Sequence, residues 1–598
     1  MKIRTITFWL VSLFLIFLPL EALSKNKTGK IKINAVNIDG NVAFPDRRIN
    51  RIIISHPSRF LAPSYYYPQV LVDDISNLEL VYRQNGYLDA RVLDYSVIID
   101  SVRHRAHINI KVFEGDPTIV EGVSVFENKV FTDQQILERI TIKSGNPLLR
   151  GKIDESTKSI LTYCAENGYL DASVNPEIRV DSLVHRAIID YRVHENTQYS
   201  IGNIHINGLD KTRNSVINRE LIFKPGEIVN YTKLLQSQRN SYMTGLFQSV
   251  YIRPIIAESG NNTEKDILVE VKENLSREYN VSVGYGSVER IRTRAEVYNT
   301  NWRGSAQKLG LSGSLSFVNR RLEFSFTEPW TFNTRWRTDL TTQADYQKQT
   351  SYDLSTVGGK LSLGRAIEKR ISTTVSYRHE NSDLSNITVT AMPENVASRI
   401  RSLIFNTVFD TRDNFFNTKN GIYIEPSVEI AGLFIPSVDS FTKIIFKAKR
   451  FHSVNNDLIL ASSIELGTIS SKGGLDGVPL QERFYAGGPN SLRGFGNRKV
   501  GPLDANRTPI GGAYELIWNA VELRQSVYKM VGVAAFLDLG NVWSNRKDIR
   551  LEDVRVSPGL GLRVNTFLGL LRLDYGFNVD PRIGENQGML YFSVGHAI

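Results

Sequence analysis

A six-residue segment, Asn-Gly-Tyr-Leu-Asp-Ala, occurs twice in the N-terminal half of the chain and limits the available folds more than any other feature. The copies span Asn85–Ala90 and Asn167–Ala172, 82 residues apart, and a degraded third copy spans Thr244–Ser249. Three runs of alternating apolar residues end at Glu114, Glu195 and Glu273, and these ends are separated by the same period. A period of about 80 residues is typical of small domains in series and too long for short solenoid repeats. The sequence therefore predicts three repeated domains.

The second copy shows the order of elements within a repeat most clearly. An alternating strand over Val120–Phe126 precedes two helix-like segments at Gln134–Ile140 and Asp154–Glu166. Asn-Gly then ends the second helix, because glycine accepts the left-handed conformation that follows a helix end. Two further strands, Ala172–Val180 and Ala187–Val193, complete a β-α-α-β-β unit.

The first 24 residues have the parts of a secretory signal peptide. Lys2 and Arg4 precede an apolar run over Phe8–Leu20, and Ala22–Ser24 supplies the small residues of a cleavage site. We therefore expect residues 1–24 to be removed and the mature chain to be exported. Because an exported protein is separated from nucleic acid, nucleic acid is excluded as a partner. The expected partners of the net charge of +10 are the headgroups of phospholipid or lipopolysaccharide. The single cysteine, Cys164, lies in a helix-like run and is interpreted as a buried thiol.

The C-terminal half changes to a period of two. In Tyr279–Gly286 apolar and aromatic residues alternate with small or polar ones, and similar segments continue to the C-terminus. A soluble sheet also alternates, but the Gly, Ser, Thr and Asn of the second face suit a water-filled lumen. Mean hydropathy of −0.21 excludes a bundle of transmembrane helices. Residues 276–598, at roughly 20 residues per tilted strand with its turn, predict an antiparallel transmembrane β-barrel of about 16 strands.

One segment within this half cannot be a plain strand. Arg483–Gly496 is rich in glycine and proline and contains Arg493-Gly494-Phe495, so we expect a loop that folds closely on other parts of the protein. With three repeats and a barrel, this segment resembles the BamA/TamA superfamily of POTRA-bearing outer-membrane assembly and translocation proteins. Further resemblances are Phe326–Trp330, Phe409–Asn414, Phe536–Trp543 and Pro558–Arg563.

The resemblance implies a complete domain plan and an inward-folded loop. It implies POTRA domains at 25–116, 117–197 and 198–275, followed by the barrel at 276–598, with the repeats in the periplasm. Three repeats favour a TamA-like branch. It also implies that Arg493, at the loop tip with Gly494 and Phe495, binds acidic partners on the lumen wall, which fall on Glu522 and Asp538.

The glycines of the first and last barrel strands predict a weak seam between those strands. Gly284 and Gly595 add backbone freedom and remove side-chain packing. We therefore expect the barrel to open sideways there, along Tyr279, Val281, Val283 and Gly284 of the first strand and Phe592, Val594 and Gly595 of the last.

No enzyme class fits the sequence. There is no nucleophile elbow and no phosphate-binding glycine loop, and His104 and His107 fall on opposite faces of a strand. We expect no catalytic residue, no cofactor and no metal site. The predicted function is an insertase or translocase that acts on unfolded outer-membrane or secreted polypeptides in contact with lipid or lipopolysaccharide. An accessory protein of the periplasm or inner membrane is a possible further partner. Two alternative functions stay open, a two-partner-secretion pore and a passive solute porin.

Overall fold

The computed structural model describes residues 31–58, 63–368, 370–390, 396–415, 417–433, 439–455, 457–528, 530–566 and 569–594. The predicted signal peptide, residues 1–24, lies outside these ranges. The chain divides into two compact units. The first contains the first two repeats with segments 223–235 and 254–267, and the second contains the barrel with segments 205–222 and 236–253.

Each of the three repeats has the predicted β-α-α-β-β order. The first consists of β1 (Lys32–Asp39), α1 (Asp46–Ile52), α2 (Pro68–Gln84), β2 (Arg91–Asp100) and β3 (Arg105–Phe113). The second consists of β4 (Ile119–Phe126), α3 (Asp133–Leu137), α4 (Arg150–Glu166), β5 (Ser173–Asp181) and β6 (Arg186–His194). The third consists of β7 (Ser200–Asn207), α5 (Asn214–Asn218), α6 (Tyr231–Met243), β8 (Phe247–Ile256) and β9 (Glu264–Glu273). In each three-stranded sheet the last strand of the repeat lies in the middle, in the orders β1-β3-β2, β4-β6-β5 and β7-β9-β8.

The glutamates that mark the period have one structural role in all three repeats. The buried carboxylate of Glu195 accepts hydrogen bonds from the backbone N–H groups of Lys129 and Val130, both at 3.0 Å. Glu114 accepts in the same way from Val42 and Ala43 in the first repeat. In the third, the donors to Glu273 are Asp210, Lys211 and Thr212. Each carboxylate thus fixes the turn that follows the first strand of its repeat, which explains why Glu recurs there.

The Asn-Gly pair lies where one repeat meets the next. Gly86 has φ +94° and Gly168 has φ +90°, both in the left-handed region that favours glycine. The carbonyl oxygen of Gly86 accepts from the N–H of Thr118 at 2.8 Å, and that of Gly168 accepts from Tyr199 at 2.9 Å. A Cβ on Gly168 would lie 2.6 Å from Cγ2 of Ile228. These glycines therefore both end a helix and allow close approach of the following repeat.

Sixteen antiparallel strands form a closed barrel in sequence order from β10 to β25, which confirms the predicted fold class. The strands are β10 (Arg277–Gly286), β11 (Arg290–Trp302), β12 (Gln307–Ser316), β13 (Asn319–Thr331), β14 (Trp336–Lys348), β15 (Asp353–Glu368), β16 (Ile371–Ser385), β17 (Ala397–Asp410), β18 (Gly421–Ala431), β19 (Thr442–Ser453), β20 (Leu458–Ser470), β21 (Tyr514–Tyr528), β22 (Val531–Trp543), β23 (Arg555–Thr566), β24 (Gly569–Phe577) and β25 (Gly588–Val594). Within the described ranges, none of the helices combines the length and the apolar composition needed to cross a membrane.

The core of the second repeat accounts for the single cysteine. Cys164 is fully buried on α4 beside Ile160, against Ile189 and Val193 of the central strand β6. Burial raises the pKa of its thiol to about 11. The thiol therefore has the structural environment that the sequence predicts.

Candidate functional site

A long segment between β20 and β21, residues 471–513, folds back onto the barrel wall; we call it the lumen loop. Its apolar side chains are buried with the wall, and they include Phe484, Ala486, Leu492, Phe495 and Val500. The wall residues that it meets alternate with exposed apolar residues such as Leu523 and Val533. In a closed barrel the exposed apolar face is the outer one, so the loop occupies the interior side.

Arg493 is a buried charged residue of this loop, with only 2% of its surface exposed. Its Nε and one terminal nitrogen each lie 2.8 Å from a different carboxylate oxygen of Asp538. The other terminal nitrogen lies 2.8 Å from Oε2 of Glu522. The guanidinium carbon lies 3.3 Å from the centroid of the Phe536 ring. The structure thus places Arg493 against both of the partners that the resemblance implies, in the two-pronged geometry that arginine forms with carboxylates.

A third carboxylate, Asp574 on β24, completes this cluster. It is fully buried, lies 3.6 Å from the Arg493 guanidinium and pairs with Arg563 at 2.5 Å. Sequence reasoning did not identify Asp574, although it is the single acidic residue of the otherwise apolar and basic strand β24. A second arginine, Arg572, pairs with the same carboxylate at 2.5 Å. The charges around Arg493 are therefore largely compensated.

The other two residues of the loop tip, Gly494 and Phe495, contact the strands that lead to the barrel seam. A Cβ on Gly494 would lie 2.4 Å from the carbonyl oxygen of Phe577, which explains why glycine is needed at this contact with β24. The Phe495 ring lies under the Arg555 guanidinium at 4.8 Å. The carbonyl oxygen of Phe495 accepts a hydrogen bond of 2.6 Å from the hydroxyl of Tyr591 on β25. The loop tip is therefore bonded to the last described strand.

A second ionic cluster holds the beginning of the loop and was not predicted from the sequence. Buried Glu482, in a short 3-10 helix at Leu480–Glu482, pairs with Arg378 of β16. Lys443 of β19 lies 3.1 Å from its carboxylate and donates to its backbone carbonyl at 2.9 Å. Arg378 also binds Glu429 of β18 at 3.0 Å and Glu380 at 3.2 Å. The lumen loop is thus anchored on two different arcs of the wall, β16–β19 and β21–β24.

The seam joins β10 to β25, whose described residues end at Val594. Among the described residues, Tyr285 pairs with Val594 and Gly286 pairs with Ser593. A Cβ on Gly284 would lie 3.0 Å from the carbonyl oxygen of Val594. Phe592 contributes its carbonyl oxygen, which accepts from the N–H of Ser287 at 2.9 Å.

The remaining predicted seam residues of the first strand lie along β10. Tyr279, Val281 and Val283 pair with β11, and within the described ranges no residue of β25 pairs with them. All three are exposed on the outer surface. Gly595 lies outside the described residues.

Two of the other resembling motifs make local contacts. Trp330, at the end of β13, donates from its indole N–H to the carboxylate of Glu220 at 2.9 Å, and the Arg219 guanidinium lies over its ring at 5.4 Å. Burial raises the pKa of Glu220, although Trp330 and Arg219 act in the opposite direction. Arg412 pairs with Asp410 at 2.6 Å. These contacts are compatible with a structural role for both motifs.

Comparison with known proteins shows which class this architecture defines. The Omp85 superfamily domain matches residues 301–598, and the POTRA repeat, described as the surface antigen variable number repeat, matches residues 31–115, 118–196 and 199–274. The chain belongs to the Omp85 superfamily of POTRA-bearing outer-membrane proteins. It accordingly resides in the outer membrane with its N-terminal repeats in the periplasm, as the sequence predicts.

Two relatives are described as the outer membrane protein assembly factor BamA. The chain is 26% identical over 577 residues to the outer membrane protein assembly factor BamA of Neorickettsia risticii (strain Illinois), a match covering 91% of this chain and 75% of the relative. It is 23% identical over 593 residues to BamA of Nitratidesulfovibrio vulgaris, covering 96% and 74%. The crystal structure of Haemophilus ducreyi BamA lacking POTRA domains 1–3 matches with a TM-score of 0.68 at 19% identity, covering 80% of this chain and 99% of that chain. The last comparison shows a shared fold. The TamA-like branch remains a prediction.

Proposed function

We propose that this protein inserts or translocates polypeptides at the outer membrane. Unfolded chains bind to the periplasmic repeats and pass into the membrane through a sideways opening between β10 and β25. The observation that carries this proposal is the meeting of the first and last strands of the closed barrel at a seam on which Gly284 and Gly286 lie. The relatives named as outer membrane protein assembly factors support the same function.

The physical argument starts from the two strand edges that β10 and β25 expose when their seam opens. In hydrocarbon, each unsatisfied backbone N–H or C=O group costs several kcal/mol, because no water is present to bind it. An incoming β-hairpin can supply those hydrogen bonds, with little dependence on its sequence. Each edge exposed by opening is therefore a template on which a client strand is stabilised as it enters the lipid.

This function needs no covalent chemistry. Neither insertion nor translocation makes or breaks a covalent bond, and the ionic clusters around Arg493 and Glu482 are built from mutually compensating pairs. We propose that these clusters position the lumen loop, that the protein is not an enzyme and that it uses neither a cofactor nor a metal. Its partners are client polypeptides and the surrounding lipid or lipopolysaccharide, and an accessory protein of the periplasm or inner membrane can act with it.

Depletion of the protein followed by quantitative proteomics of the outer membrane tests the proposal. An insertase predicts the loss of several β-barrel proteins, whereas a dedicated secretion pore predicts the loss of one exported protein and a solute porin predicts neither. Re-expression of the wild-type chain is the control and restores the lost barrels. An unchanged set of outer-membrane barrels after depletion contradicts the proposed function.

A further inference from the structure

The extracellular end of the barrel carries three exposed cations near its first strands. They are Arg290 at the start of β11, Arg320 on β13 and Lys348 at the end of β14. Because β10 follows the periplasmic repeats, it begins at the periplasmic side of the membrane. The turns after β10, β12 and β14 therefore lie at the extracellular end. We call the three residues the rim cations.

Backbone hydrogen bonds bring the turns of this rim together. The N–H of Phe317 donates to the carbonyl oxygen of Glu289 at 3.3 Å. The N–H of Lys348 donates to the carbonyl oxygen of Val318 at 2.8 Å. Neighbouring strands lie about 4.8 Å apart, so the ends of β11 and β14 are separated by roughly 14 Å. The rim cations thus form one row along adjoining turns.

The strand register places two of the rim cations on the outer face of the barrel. Arg320 lies opposite Leu315 of β12, and Leu322 follows it on the same face. Both leucines belong to the apolar outer surface, with 60% and 56% of their area exposed. Lys348 shares this face, because it lies two residues beyond Tyr346, which is opposite Arg320. These cations therefore stand at the upper edge of the apolar belt, at the height of lipid headgroups.

Two of the rim cations lie over aromatic rings. The guanidinium carbon of Arg290 lies 5.4 Å from the centroid of the Phe317 ring, and that of Arg320 lies 5.6 Å from the centroid of the Tyr346 ring. An arginine that stacks through its planar face keeps the N–H groups of its edge available for an anion. The rings therefore position these charges without neutralising them.

The inward-facing arginines of the same two strands have acidic partners. Arg292 on β11 pairs with Glu289 at 3.1 Å, and Arg321 on β13 pairs with Asp345 at 3.1 Å. Across the part of the chain that the structure describes, by contrast, none of the rim cations forms an ion pair. The charge of the rim is thus left for a partner outside the protein.

One carboxylate of the outer face lies close to this row. Asp353 is opposite Lys348 in the ladder between β14 and β15, and it is buried. Its carboxylate accepts hydrogen bonds from the hydroxyl of Tyr346 at 2.9 Å and from the side-chain amide of Asn386 at 2.7 Å. Even with this carboxylate, the rim keeps an excess of positive charge.

We propose that the rim cations bind the phosphate groups of lipopolysaccharide, whose acyl chains then lie along the apolar surface around Leu315 and Leu322. The outer leaflet of an outer membrane carries this lipid, and its lipid A anchor has phosphate on both of its sugar rings. A row of separate cations suits two separated phosphates better than the single phosphate of a glycerophospholipid. The inference rests on the proposed function for its partner, and it adds the place where the lipid is held, beside the seam strand β10.

Lipid binding to the full chain in detergent tests the proposal. Native mass spectrometry measures the fraction of the chain that carries a lipid as the lipid concentration is raised. The probes are bisphosphorylated lipid A, the same lipid A after enzymatic removal of its phosphates, and phosphatidylglycerol. We expect the wild-type chain to bind bisphosphorylated lipid A at least tenfold more tightly than either of the other probes. Added salt should reduce this preference, because the charges concerned are exposed.

The decisive variant removes all three rim cations. It should bind bisphosphorylated lipid A at least tenfold more weakly than the wild type, and it should remain folded because the three side chains are exposed. Heat-modifiable gel mobility checks the folding. The substitutions are Arg290→Ser, Arg320→Ser and Lys348→Ser.

A matched control removes the same charge from another part of the extracellular end. The exposed loop between β22 and β23 contains three cations within five residues, and their loss should leave lipid A binding at the wild-type level. The control substitutions are Arg546→Ser, Lys547→Ser and Arg550→Ser.

Two results would overturn the proposal. Equal affinity of the wild-type chain for bisphosphorylated lipid A and phosphatidylglycerol would reject lipopolysaccharide as the specific partner. Wild-type affinity in the variant without rim cations, or an equal loss in the control, would reject the site.

Depletion separates this inference from the proposed function. If lipid A binding depends on the rim cations but depletion removes no barrel proteins, the lipid site stands and the insertase function fails. If depletion removes several barrels while the variant without rim cations binds lipid A normally, the function stands and the lipid site is wrong.

Discussion

The hydroxyl of Tyr591, on the last described strand of the barrel, donates a hydrogen bond of 2.6 Å to the backbone carbonyl oxygen of Phe495 at the tip of the lumen loop. Tyr591 is buried, and its strand is the one that meets β10 at the seam. The loop tip is therefore bonded directly to a strand of the seam. Movement of β25 away from the anchored loop tip has to stretch or break this bond.

Tyr591→Phe should loosen the seam while leaving the barrel folded. One hydrogen bond contributes about 0.5 to 1.5 kcal/mol, so we expect hydrogen exchange of residues 588–594 to become roughly two- to tenfold faster. Tyr575→Phe on the neighbouring strand is the control, because Tyr575 is exposed on the outer surface. Equal exchange in wild-type and Tyr591→Phe barrels would show that the bond does not restrain the strand.

Arg493→Ala should release the lumen loop. Removing one member of a buried ion pair costs about 3 to 5 kcal/mol, because the remaining charge is left without a partner, and here both Asp538 and Glu522 lose the guanidinium. We expect new protease cleavage between Gly487 and Gly501 and impaired assembly of clients. Arg493→Lys should restore only part of the protection, since an ammonium group cannot bind both oxygens of Asp538 in the planar two-pronged geometry.

Arg550→Ala is a suitable control for that experiment, because Arg550 forms an exposed pair with Glu552. An exposed pair is worth about 0 to 1 kcal/mol, so the loop should remain protected. Unchanged loop protection and client assembly in Arg493→Ala would contradict the anchoring role of Arg493.

Alternation and resemblance together were sufficient to predict the partners of Arg493, whereas neither identified Asp574 or Glu482. Glu522 and Asp538 lie on inward positions of β21 and β22, which the alternating pattern of each strand reveals. Asp574 of β24 contacts the guanidinium of Arg493. This contact depends on the register between neighbouring strands, which cannot be predicted from the sequence of one strand alone. Glu482 binds Arg378 across 104 residues, and only the path of the loop brings the two together.

The seam illustrates the same limit. The glycines of the first and last strands predict weak pairing, and this stays a prediction. The structure adds which described residues face each other across the seam, Tyr285 with Val594 and Gly286 with Ser593. That register depends on the stagger of the closed barrel, which is a property of all sixteen strands together.

The Glu482 cluster allows two substitutions of very different expected cost. Arg378→Ala leaves Glu380, Glu429 and Glu482 facing one another with Lys443 as the remaining cation of the cluster, so we expect a loss of about 3 to 5 kcal/mol. Glu482→Gln removes one carboxylate while Arg378 keeps two, so its cost should be smaller. The temperature at which the barrel loses its heat-modifiable gel mobility measures both. Equal effects of the two substitutions would contradict this assignment of the charges.

A disulfide across the seam should stop function if the barrel opens sideways. Gly286→Cys and Ser593→Cys lie opposite each other, and a Cβ on Gly286 has no heavy atom nearer than 4.0 Å, so the bridge can form without displacing neighbours. In a Cys164→Ala background, oxidation should block client assembly and reduction should restore it. The matched pair Gly313→Cys and Leu322→Cys bridges β12 and β13, where a Cβ on Gly313 meets no atom within 4 Å, and should leave assembly unchanged. Full activity of the oxidised seam would exclude lateral opening.

The buried carboxylate of Glu195 gives the second repeat a specific dependence on pH. Burial by itself would raise its pKa, but the N–H groups of Val130, Lys129 and Phe131 outweigh burial and lower it. Its contribution to stability is therefore complete above the pKa of the unfolded chain and is lost as the pH falls through the lower pKa of the folded state.

Glu195→Gln should remove this contribution at neutral pH. Hydrogen bonds to a charged group are worth about 1.5 to 3 kcal/mol, so opening of the repeat should become about tenfold more frequent or more. The rate at which Cys164 reacts with a disulfide reagent reports that opening, because this thiol is fully buried in the same repeat. Glu121→Gln, at an exposed position of β4, is the control. At a pH below the folded pKa of Glu195, the wild-type and Glu195→Gln rates should converge, because both side chains are then uncharged. A difference in rate that persists at that pH would show that Glu195 stabilises the turn by shape and not by charge.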